Sequence, residues 1–406
     1  MTEILVALIF LIALTVALAL ALQGVRNRLL PSRPVTLTIN GQRRIAGRSN
    51  EKLLDLLNGA GIPVPSGCAG QGTCGLCRVS DVTGTQGPLA TETARLSPAD
   101  LRAGVRLACQ VTVRGDMALS VPEDVLGSAT HECRVARVTS LTPLIREIVL
   151  ALPEGAVFDF RAGNFVQVTA PAYRLAYADI ELPEEFRDEW DRLGLRALTA
   201  ESGAPVSRAY SVASRPADRG FVVLNIRLAT PPPGAPDAPP GVVSSWLFGL
   251  REGDSVEIAG PYGDFRVRDT DREMIFIGGG VGMAPLRAMI HEQLEQVGTA
   301  RKISFWYGAR SRAELFYTDE FEALAARYPN FRWMPALSQP ARDDDWQGET
   351  GFIHDVVFRR YLADHPAPEV CEYYLCGPPL MIQAVYAMLA DCGVDREDIH
   401  NDDFGI

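Results

Sequence analysis

This 406-residue sequence lacks a surplus of basic residues, because 39 lysines and arginines face 50 aspartates and glutamates and leave a net charge of −11. A nucleic acid, which a basic surface would attract, is therefore not an expected partner. The sequence also lacks the basic segment that begins a secretory signal peptide, since Glu3 precedes the first apolar run. The acidic balance and the missing signal favour a reducing cytoplasm, where stable disulfides are rare.

The apolar run at residues 4–22 contains no charged residue and is long enough to cross a bilayer as one helix. Arg26, Arg28 and Arg33 follow it, and the cytoplasmic flanks of membrane helices are enriched in such residues. The pattern predicts a transmembrane anchor at residues 1–28, with the rest of the chain in the cytoplasm.

Four cysteines have the spacing of a metal centre. Cys68, Cys74 and Cys77 share one short loop at C-x5-C-x2-C spacing, and Cys109 follows after a long excursion. Thiolate ligands restrict the choice to zinc or to iron and sulfur. Zinc modules usually have two short-spaced pairs, so the arrangement of three cysteines and one favours a [2Fe-2S] cluster. A disulfide-bonded loop is the alternative, which a reducing cytoplasm disfavours.

The residues around this loop predict a small sheet with one helix. Strands are expected at residues 35–39, 43–46, 79–82 and 111–121. Asn40-Gly41 suits a two-residue hairpin turn, and the leucine spacing of residues 51–58 indicates an amphipathic helix. This pattern resembles the β-grasp ferredoxins over residues 33–128, although plant-type members have four residues between the first two cysteines, not five.

After residue 128 the pattern changes to longer alternating runs between Gly and Pro turns, which predict an antiparallel barrel over residues 129–268. The expected strands are residues 133–138, 145–150, 165–169, 207–212, 221–226 and 255–259. An acidic segment at 177–196, expected to be helical, and a proline-rich loop at 231–241 interrupt them. A solvated insertion is the simplest interpretation of the acidic segment.

From Met274 onward, strands and helices alternate, which predicts a parallel sheet covered on both faces over residues 272–406. The strands are expected at residues 274–277, 302–307, 331–336 and 372–376, and the helices at 284–296, 319–327, 352–364 and 380–392. Such sheets bind nucleotides at the carboxyl ends of their strands. The whole chain is therefore expected to be a multidomain protein of α+β and α/β class.

Two motifs in the barrel segment have the residue types that a flavin requires. Arg208 and Tyr210 lie two apart on one predicted strand, so a guanidinium suited to phosphate stands beside a ring suited to isoalloxazine. Ser211 follows them. The second motif begins a predicted helix, whose free N–H groups would receive a pyrophosphate. Its residues are Gly241, Ser244 and Ser245. Core packing is the alternative role of Tyr210.

A glycine-rich loop follows the first strand of the predicted parallel sheet and leads into a helix. It lacks the spaced dinucleotide fingerprint, but glycines there still permit a tight turn and close approach of the backbone to phosphate oxygens. Its glycines are Gly278, Gly279, Gly280 and Gly282. Cys376 also stands between a strand and a helix, with a buried core thiol as the alternative interpretation.

These motifs together resemble the ferredoxin-reductase superfamily. The order of anchor, ferredoxin, FAD-binding barrel and NADH-binding domain resembles the F subunits of the sodium-translocating NADH:quinone oxidoreductases over almost the entire chain. The resemblance implies electron entry from NADH, FAD as first acceptor, and export through the [2Fe-2S] cluster to other membrane subunits and, indirectly, ubiquinone. It also implies catalytic roles for Tyr210, Ser211 and Cys376, cofactor contact by Phe404, and attachment to a bacterial inner membrane.

Two other functions share parts of this pattern. A soluble oxygenase reductase has the same three modules without an anchor, and a membrane electron carrier could retain a decayed nucleotide domain. Selection between NADH and NADPH is expected after the second strand of the parallel sheet. There Arg310 and Arg312 could accept the extra phosphate of NADPH, whereas Glu314 would repel it, and the resemblance implies NADH.

Overall fold

The computed structural model describes residues 14–18, 32–68, 70–232, 234–341 and 345–402. The chain divides into two compact units, one of Met1–Val64 and Gly70–Leu126, the other of Pro65–Ala69 and Gly127–Ile406. Residues 14–18 are helical and exposed, and the rest of the expected anchor lies outside the described residues. Within the described ranges, no helix combines the length and apolar character that crossing a membrane requires.

The first unit contains small sheets and short helices. Its three-stranded sheet consists of β1 (Pro34–Ile39), β2 (Arg43–Arg48) and β5 (Met117–Leu119), while β3 (Arg78–Val79) pairs with β4 (Arg106–Leu107). Strand β1 lies between its neighbours, antiparallel to β2 and parallel to β5. The helices are α1 (Leu53–Gly59), α2 (Ala90–Thr93) and α3 (Pro98–Arg102), with α4 (Glu123–Gly127) following β5.

The predicted hairpin of the first unit is present, and Asn40 and Gly41 have the positive φ angles, 49° and 70°, that its turn requires. Its connection is one residue longer than predicted, because Ile39 pairs with Arg43. The prediction of one strand over residues 111–121 is wrong in its length, since β5 is the strand that forms there and it spans Met117–Leu119. The carbonyls of Val111 and Val113 instead accept hydrogen bonds from the backbone N–H groups of Leu53 and Asn50. Thr112 between them forms an antiparallel bridge with Lys52, so this stretch pairs with the segment that leads into α1.

A six-stranded antiparallel sheet begins the second unit, in the order β11-β8-β13-β6-β7-β12. Its strands are β6 (Ala129–Thr142), β7 (Ile145–Ala151), β8 (Phe165–Ala170), β11 (Val206–Ser211), β12 (Phe221–Arg227) and β13 (Ser255–Tyr262). A bridge between Val212, just after β11, and Leu224, in the middle of β12, joins the two edge strands, so the sheet curls into a barrel-like form. Helix α6 (Val242–Phe248) packs against it. All six predicted strands are present.

The acidic segment is less helical than its sequence predicts. It holds one short helix, α5 (Arg187–Arg192), among the 3-10 turns Tyr177–Asp179, Glu184–Phe186 and Leu195–Ala197. Pro183 and Gly194, which has a φ of 66°, interrupt longer helices on either side. Strands β9 (Tyr173–Ala176) and β10 (Thr199–Ser202) flank the segment and pair antiparallel. The sequence analysis missed this pair because its partners are far apart in the chain.

A six-stranded parallel sheet completes the second unit, in the order β17-β16-β15-β14-β18-β19. Its strands are β14 (Met274–Gly279), β15 (Ile303–Ala309), β16 (Phe331–Leu337), β17 (Glu349–Thr350), β18 (Glu372–Cys376) and β19 (Ile399–Asn401). The helices are α7 (Met283–His291), α8 (Thr318–Arg327), α9 (Ile353–Arg360) and α10 (Pro379–Asp391). A π-helix at Glu292–Val297 continues α7. The predicted alternation is confirmed, and only the short edge strands β17 and β19 were missed.

Strand β14 lies inside the parallel sheet, contributes side chains to the cores on both faces, and marks the point where the strand order reverses. Met274 and Phe276 pack into one core, whereas Ile275 and Ile277 pack into the other, so helices cover both faces. The strand order runs outward from β14 in both directions, with β15 on one side and β18 on the other. This reversal is the point at which open parallel sheets bind ligands, beyond the carboxyl ends of their strands.

Candidate functional site

Three of the four cysteines predicted to bind a cluster lie buried and close together. Cys74, Cys77 and Cys109 are at most 7% exposed, and none forms a disulfide. The hydrogen bond with Cys109, burial and the charge of Cys74 together raise the pKa of the Cys77 thiol well above its ordinary value. Cys68 is half-buried. Crowded thiols that oppose each other's ionisation suit a metal centre, because bound cations reverse that effect and hold thiolates.

The backbone near these cysteines bends in a way that glycine permits. Gly72 has a φ of 80°, and a Cβ there would lie 2.6 Å from the side-chain amide nitrogen of Gln110. The same amide donates to the Gly70 carbonyl and to the Cys109 sulfur, both at 3.3 Å. Hydrogen bonds to cysteine sulfur are among the contacts that tune iron–sulfur clusters, so these residues fit that group.

The predicted flavin residues lie on strand β11, whose six residues are all half-buried. Tyr210 packs against the barrel core, so its ring has in part the core-packing role that was the alternative to flavin binding. Burial raises the pKa of the Tyr210 phenol, and the charge of Arg208 opposes that shift. The Arg208 guanidinium donates to the Ser207 carbonyl at 2.9 Å. A half-covered strand with a guanidinium and a ring fits a flavin phosphate and isoalloxazine.

The glycine–serine motif at the start of α6 uses its serine side chains to hold the turn. The hydroxyls of Ser244 and Ser245 donate to the Gly241 carbonyl at 3.2 and 2.5 Å, and Ser245 also bonds the Tyr177 hydroxyl at 2.6 Å. A Cβ on Gly241 would lie 2.6 Å from that of Ala229, so the turn requires glycine. These bonds leave the backbone N–H groups of the first helical turn as the donors available to a phosphate.

A cavity of about 1010 Å³ opens at the carboxyl ends of the parallel strands. Gly279 at the end of β14 and Gly280 just after it line the cavity. Tyr307, whose hydroxyl donates to the Gly280 carbonyl at 2.9 Å, lines it from β15. The other two predicted glycines serve close packing. A Cβ on Gly278 would lie 2.8 Å from Leu286, and one on Gly282 would lie 1.9 Å from the Cys376 carbonyl. In the glycine loop, Gly279 and Gly280 thus form part of the cavity wall, whereas Gly278 and Gly282 allow close packing against Leu286 and Cys376.

Arg227 is a cavity residue that the sequence analysis missed. It ends barrel strand β12 and lines the cavity beside Gly279 and Gly280, with its Nη1 atom 3.7 Å from where a Cβ on Gly280 would stand. No described carboxylate pairs with it. An arginine at the end of a strand has no local signature, and only the fold brings its charge to the glycine loop.

Asp402 connects two of the residues predicted to be catalytic. Its carboxylate accepts a hydrogen bond from the Ser211 hydroxyl at 2.8 Å, and its carbonyl lies 3.9 Å from the Cys376 sulfur. Cys376, at the end of β18, is 7% exposed. This burial is consistent with the alternative interpretation of Cys376 as a core thiol. The predicted cofactor contact Phe404 lies outside the described residues. The sequence analysis missed Asp402 as a site residue, because its role depends on how the fold returns the tail to the barrel.

The acidic segment is more than a solvated insertion, because Glu185, Phe186, Glu189 and Arg192 line the cavity. Glu189 and Arg192 form a two-point ion pair at 2.7 and 2.5 Å. Across the cavity lining, Arg310 donates from Nε to Glu314 at 2.7 Å. A local pattern of acidic residues could not reveal this placement.

Three family models match the chain. They are the 2Fe-2S iron-sulfur cluster binding domain at residues 37–114, the oxidoreductase FAD-binding domain at residues 195–267, and the oxidoreductase NAD-binding domain at residues 276–387. The first includes all four predicted cluster cysteines. The second includes β11 and α6, and the third includes the glycine loop and Cys376.

Curated relatives match the chain from end to end. The F subunit of the Na(+)-translocating NADH-quinone reductase from Neisseria meningitidis serogroup C is 46% identical over 403 residues, which cover 99% of this chain and 100% of that protein. The corresponding F subunit from Klebsiella pneumoniae subsp. pneumoniae is 45% identical over 405 residues, again covering 99% and 100%.

Solved structures share the fold. The cytochrome P450 reductase GcoB of Amycolatopsis has a TM-score of 0.64 at 24% identity and covers 91% of this chain and 98% of its own. The ferredoxin reductase in carbazole 1,9a-dioxygenase has a TM-score of 0.58 at 25% identity and covers 92% and 99%. The arrangement of sheets is thus one that several reductases have in common.

Proposed function

The chain belongs to the F subunits of the Na⁺-translocating NADH-quinone reductases, and on that premise we propose how its residues admit electrons to such a complex. It is an NADH-oxidising oxidoreductase with FAD-binding and [2Fe-2S] domains. The bound groups supply a hydride from NADH, a flavin that accepts it and gives electrons singly, and a cluster that takes one at a time. The protein's task is to hold them in that order.

The observation that carries the proposal is the cavity at the reversal of strand order. Gly279 and Gly280 let the backbone approach a pyrophosphate closely. Arg227 adds a guanidinium that no described carboxylate neutralises, and an arginine fork matches phosphate oxygens. We assign these three residues to the pyrophosphate of NADH, in a nucleotide-binding region at residues 272–406.

The flavin side of the site is proposed at residues 129–268. Arg208 and the first turn of α6, after Gly241, would bind the FAD phosphates, while Tyr210 would lie against the ring system. Cys376 stands at the end of β18, beside the tail that contacts Ser211 through Asp402. We propose that these contacts hold the nicotinamide against the flavin, and that Phe404, two residues after Asp402 in the sequence, contacts a cofactor.

Electron export is proposed to start at Cys68, Cys74, Cys77 and Cys109, the four ligands of the cluster in residues 33–128. The other subunits of the complex would take the electrons and deliver them to ubiquinone. Residues 1–28 would anchor the chain in the bacterial inner membrane, with the soluble domains on the cytoplasmic side. The anchor is absent from soluble oxygenase reductases, and the family membership disfavours that alternative.

Replacement of Arg227 tests the proposed cavity. Arg227→Gln should raise the KM for NADH about tenfold, a loss of about 1.4 kcal/mol, because the pyrophosphate loses its charged partner. The matched control is Arg219→Gln, since Arg219 is an exposed arginine in the turn before the same strand. Steady-state reduction of ferricyanide at varied NADH concentration is the measurement. An Arg227→Gln protein that is as unaffected as the control would contradict the assignment.

A further inference from the structure

The acidic segment presents one face to the nucleotide cavity. Glu185, Phe186, Glu189 and Arg192 line the cavity, and their spacing places them on one side of a helical turn. Trp190, next to Glu189 in the chain, is fully buried in the barrel core and donates from its indole nitrogen to the Pro143 carbonyl at 2.7 Å. The tryptophan therefore holds α5 in place as a wall of the cavity.

Two ion pairs line this part of the cavity, one on α5 and one on the turn that follows β15. The Arg192 guanidinium donates to the Glu189 carboxylate. Arg310 donates to the Glu314 carboxylate from its guanidinium and also from its backbone N–H, the latter at 3.1 Å. The pKa of Arg310 is raised first by its hydrogen bond to Glu314 and further by the charges of Glu314 and Glu189. Each guanidinium here already has a carboxylate partner, unlike Arg227 at the glycine loop.

We propose that Glu189, carried by the acidic segment, acts with Glu314 to make the cavity select NADH over NADPH. This inference rests on the proposed function of the cavity. The adenosine ribose passes the end of the second strand in folds of this kind, which here is the Arg310–Glu314 turn.

A 2′-phosphate would bring a charge of about −1.5 to −2 to that turn. Glu189 and Glu314 already occupy the Nε–Nη2 edge of Arg192 and Arg310. The phosphate would have to displace a carboxylate or bind the other edge of the guanidinium. In either case it would lie close to a negative charge that repels it. A free 2′-hydroxyl requires no such exchange, because it can donate a hydrogen bond to a carboxylate that keeps its arginine. The paired charges thus penalise NADPH without weakening NADH.

The test compares Glu189→Gln with Asp188→Asn. Both changes remove one negative charge from α5, but Asp188 is exposed and does not line the cavity. Adenosine 5′-monophosphate and adenosine 2′,5′-bisphosphate are the probes, measured by titration calorimetry on the full chain with FAD. The ratio of their dissociation constants isolates the 2′-phosphate.

Glu189→Gln should shift that ratio about tenfold toward the bisphosphate, because Arg192 is freed to bind phosphate. The ratio of kcat/KM for NADPH to that for NADH should rise by a similar factor, and Asp188→Asn should leave both ratios at the wild-type values. Equal ratios in wild type and Glu189→Gln, or equal shifts in the two variants, would overturn the inference. Wild-type protein that binds both probes but does not reduce its flavin with NADH would contradict the proposed function alone, and the ratios would still decide the role of Glu189.

Discussion

The Ser211 hydroxyl donates a hydrogen bond of 2.8 Å to the carboxylate of Asp402. One residue ends a barrel strand and the other follows the last strand of the parallel sheet, so the bond joins the flavin and nucleotide sides of the site. Cys376 approaches the same aspartate through its thiol. In the proposed arrangement, this contact holds Asp402 beside the place where the nicotinamide and the flavin would meet.

Loss of this hydrogen bond should slow hydride transfer. Ser211→Ala and Asp402→Ala should each reduce the rate of flavin reduction by NADH about 10- to 100-fold, the range expected of a hydrogen bond to a charged group worth about 1.5–3 kcal/mol. The double variant should be little slower than either single one, because both remove the same contact. Stopped-flow absorbance of the flavin gives the rates. Strictly additive effects would show that the bond has no role in positioning.

The iron content of cysteine variants tests the cluster ligands. Cys109→Ala should lose the iron–sulfur signal and keep its FAD, since the two groups bind to separate regions of the chain. Cys392→Ala is the matched control, because this half-buried cysteine follows α10, outside the cysteine loop. Iron analysis and low-temperature electron paramagnetic resonance measure the outcome. A normal cluster in the Cys109→Ala protein would remove that residue from the ligand set.

Acid should weaken the second unit through Glu320. Burial alone would raise the pKa of this carboxyl, but hydrogen bonds from His291 and Arg287 lower it to about 2 from an ordinary 4.5. Because the folded pKa lies below the unfolded one, the stabilisation is complete above about pH 4.5 and is lost as the pH falls toward 2. Glu320→Gln should therefore lower the free energy of unfolding by roughly 2–4 kcal/mol at pH 7, and by less at pH 3.

Urea unfolding at the two pH values measures this difference. Glu322→Gln is the control, since Glu322 is exposed on the same helix, α8. The hydrogen bonds among Glu320, Arg287 and His291 also bear on the site. Arg287 donates to the Ala213 carbonyl at 2.7 Å and so joins α7 to the barrel. A Glu320→Gln protein with the control's stability at both pH values would contradict the assignment.

Removal of residues 1–28 should release the chain from the membrane. The truncated chain should still reduce an artificial acceptor with NADH, because the proposed FAD and NADH sites lie after residue 128. Membrane flotation together with ferricyanide reduction measures both properties. Truncated protein that still floats with membranes, or that loses its flavin, would contradict a role limited to anchoring.

The sequence was most informative where a local pattern carried the structure. Strand β18 has its predicted bounds, residues 372–376, because four apolar or aromatic residues follow Glu372 and are themselves followed directly by Gly-Pro-Pro. The Asn40-Gly41 hairpin and the cysteine spacing are local in the same sense. The changes of pattern along the chain indicated the order of domains, and family resemblance then supplied FAD as first acceptor, NADH as donor and the direction of electron flow.

Features that depend on distant contacts could not be predicted in this way. Arg227 looks like an ordinary strand residue, and only the meeting of two sheets places it at the glycine loop. Glu189 looks like a solvated charge, but Trp190 beside it anchors the helix that turns it into the cavity. The serines after Gly241 matched a flavin motif, yet their hydroxyls are used to hold the turn.

The most direct test of the account is rapid mixing of NADH with the full chain, carrying FAD and its cluster, without oxygen. Flavin bleaching should come first and the electron paramagnetic resonance signal of a reduced [2Fe-2S] cluster should follow, whereas Cys109→Ala should bleach its flavin at the wild-type rate without that signal. Cluster reduction in protein stripped of FAD, or NADH that leaves the wild-type flavin oxidised, would contradict the proposed path.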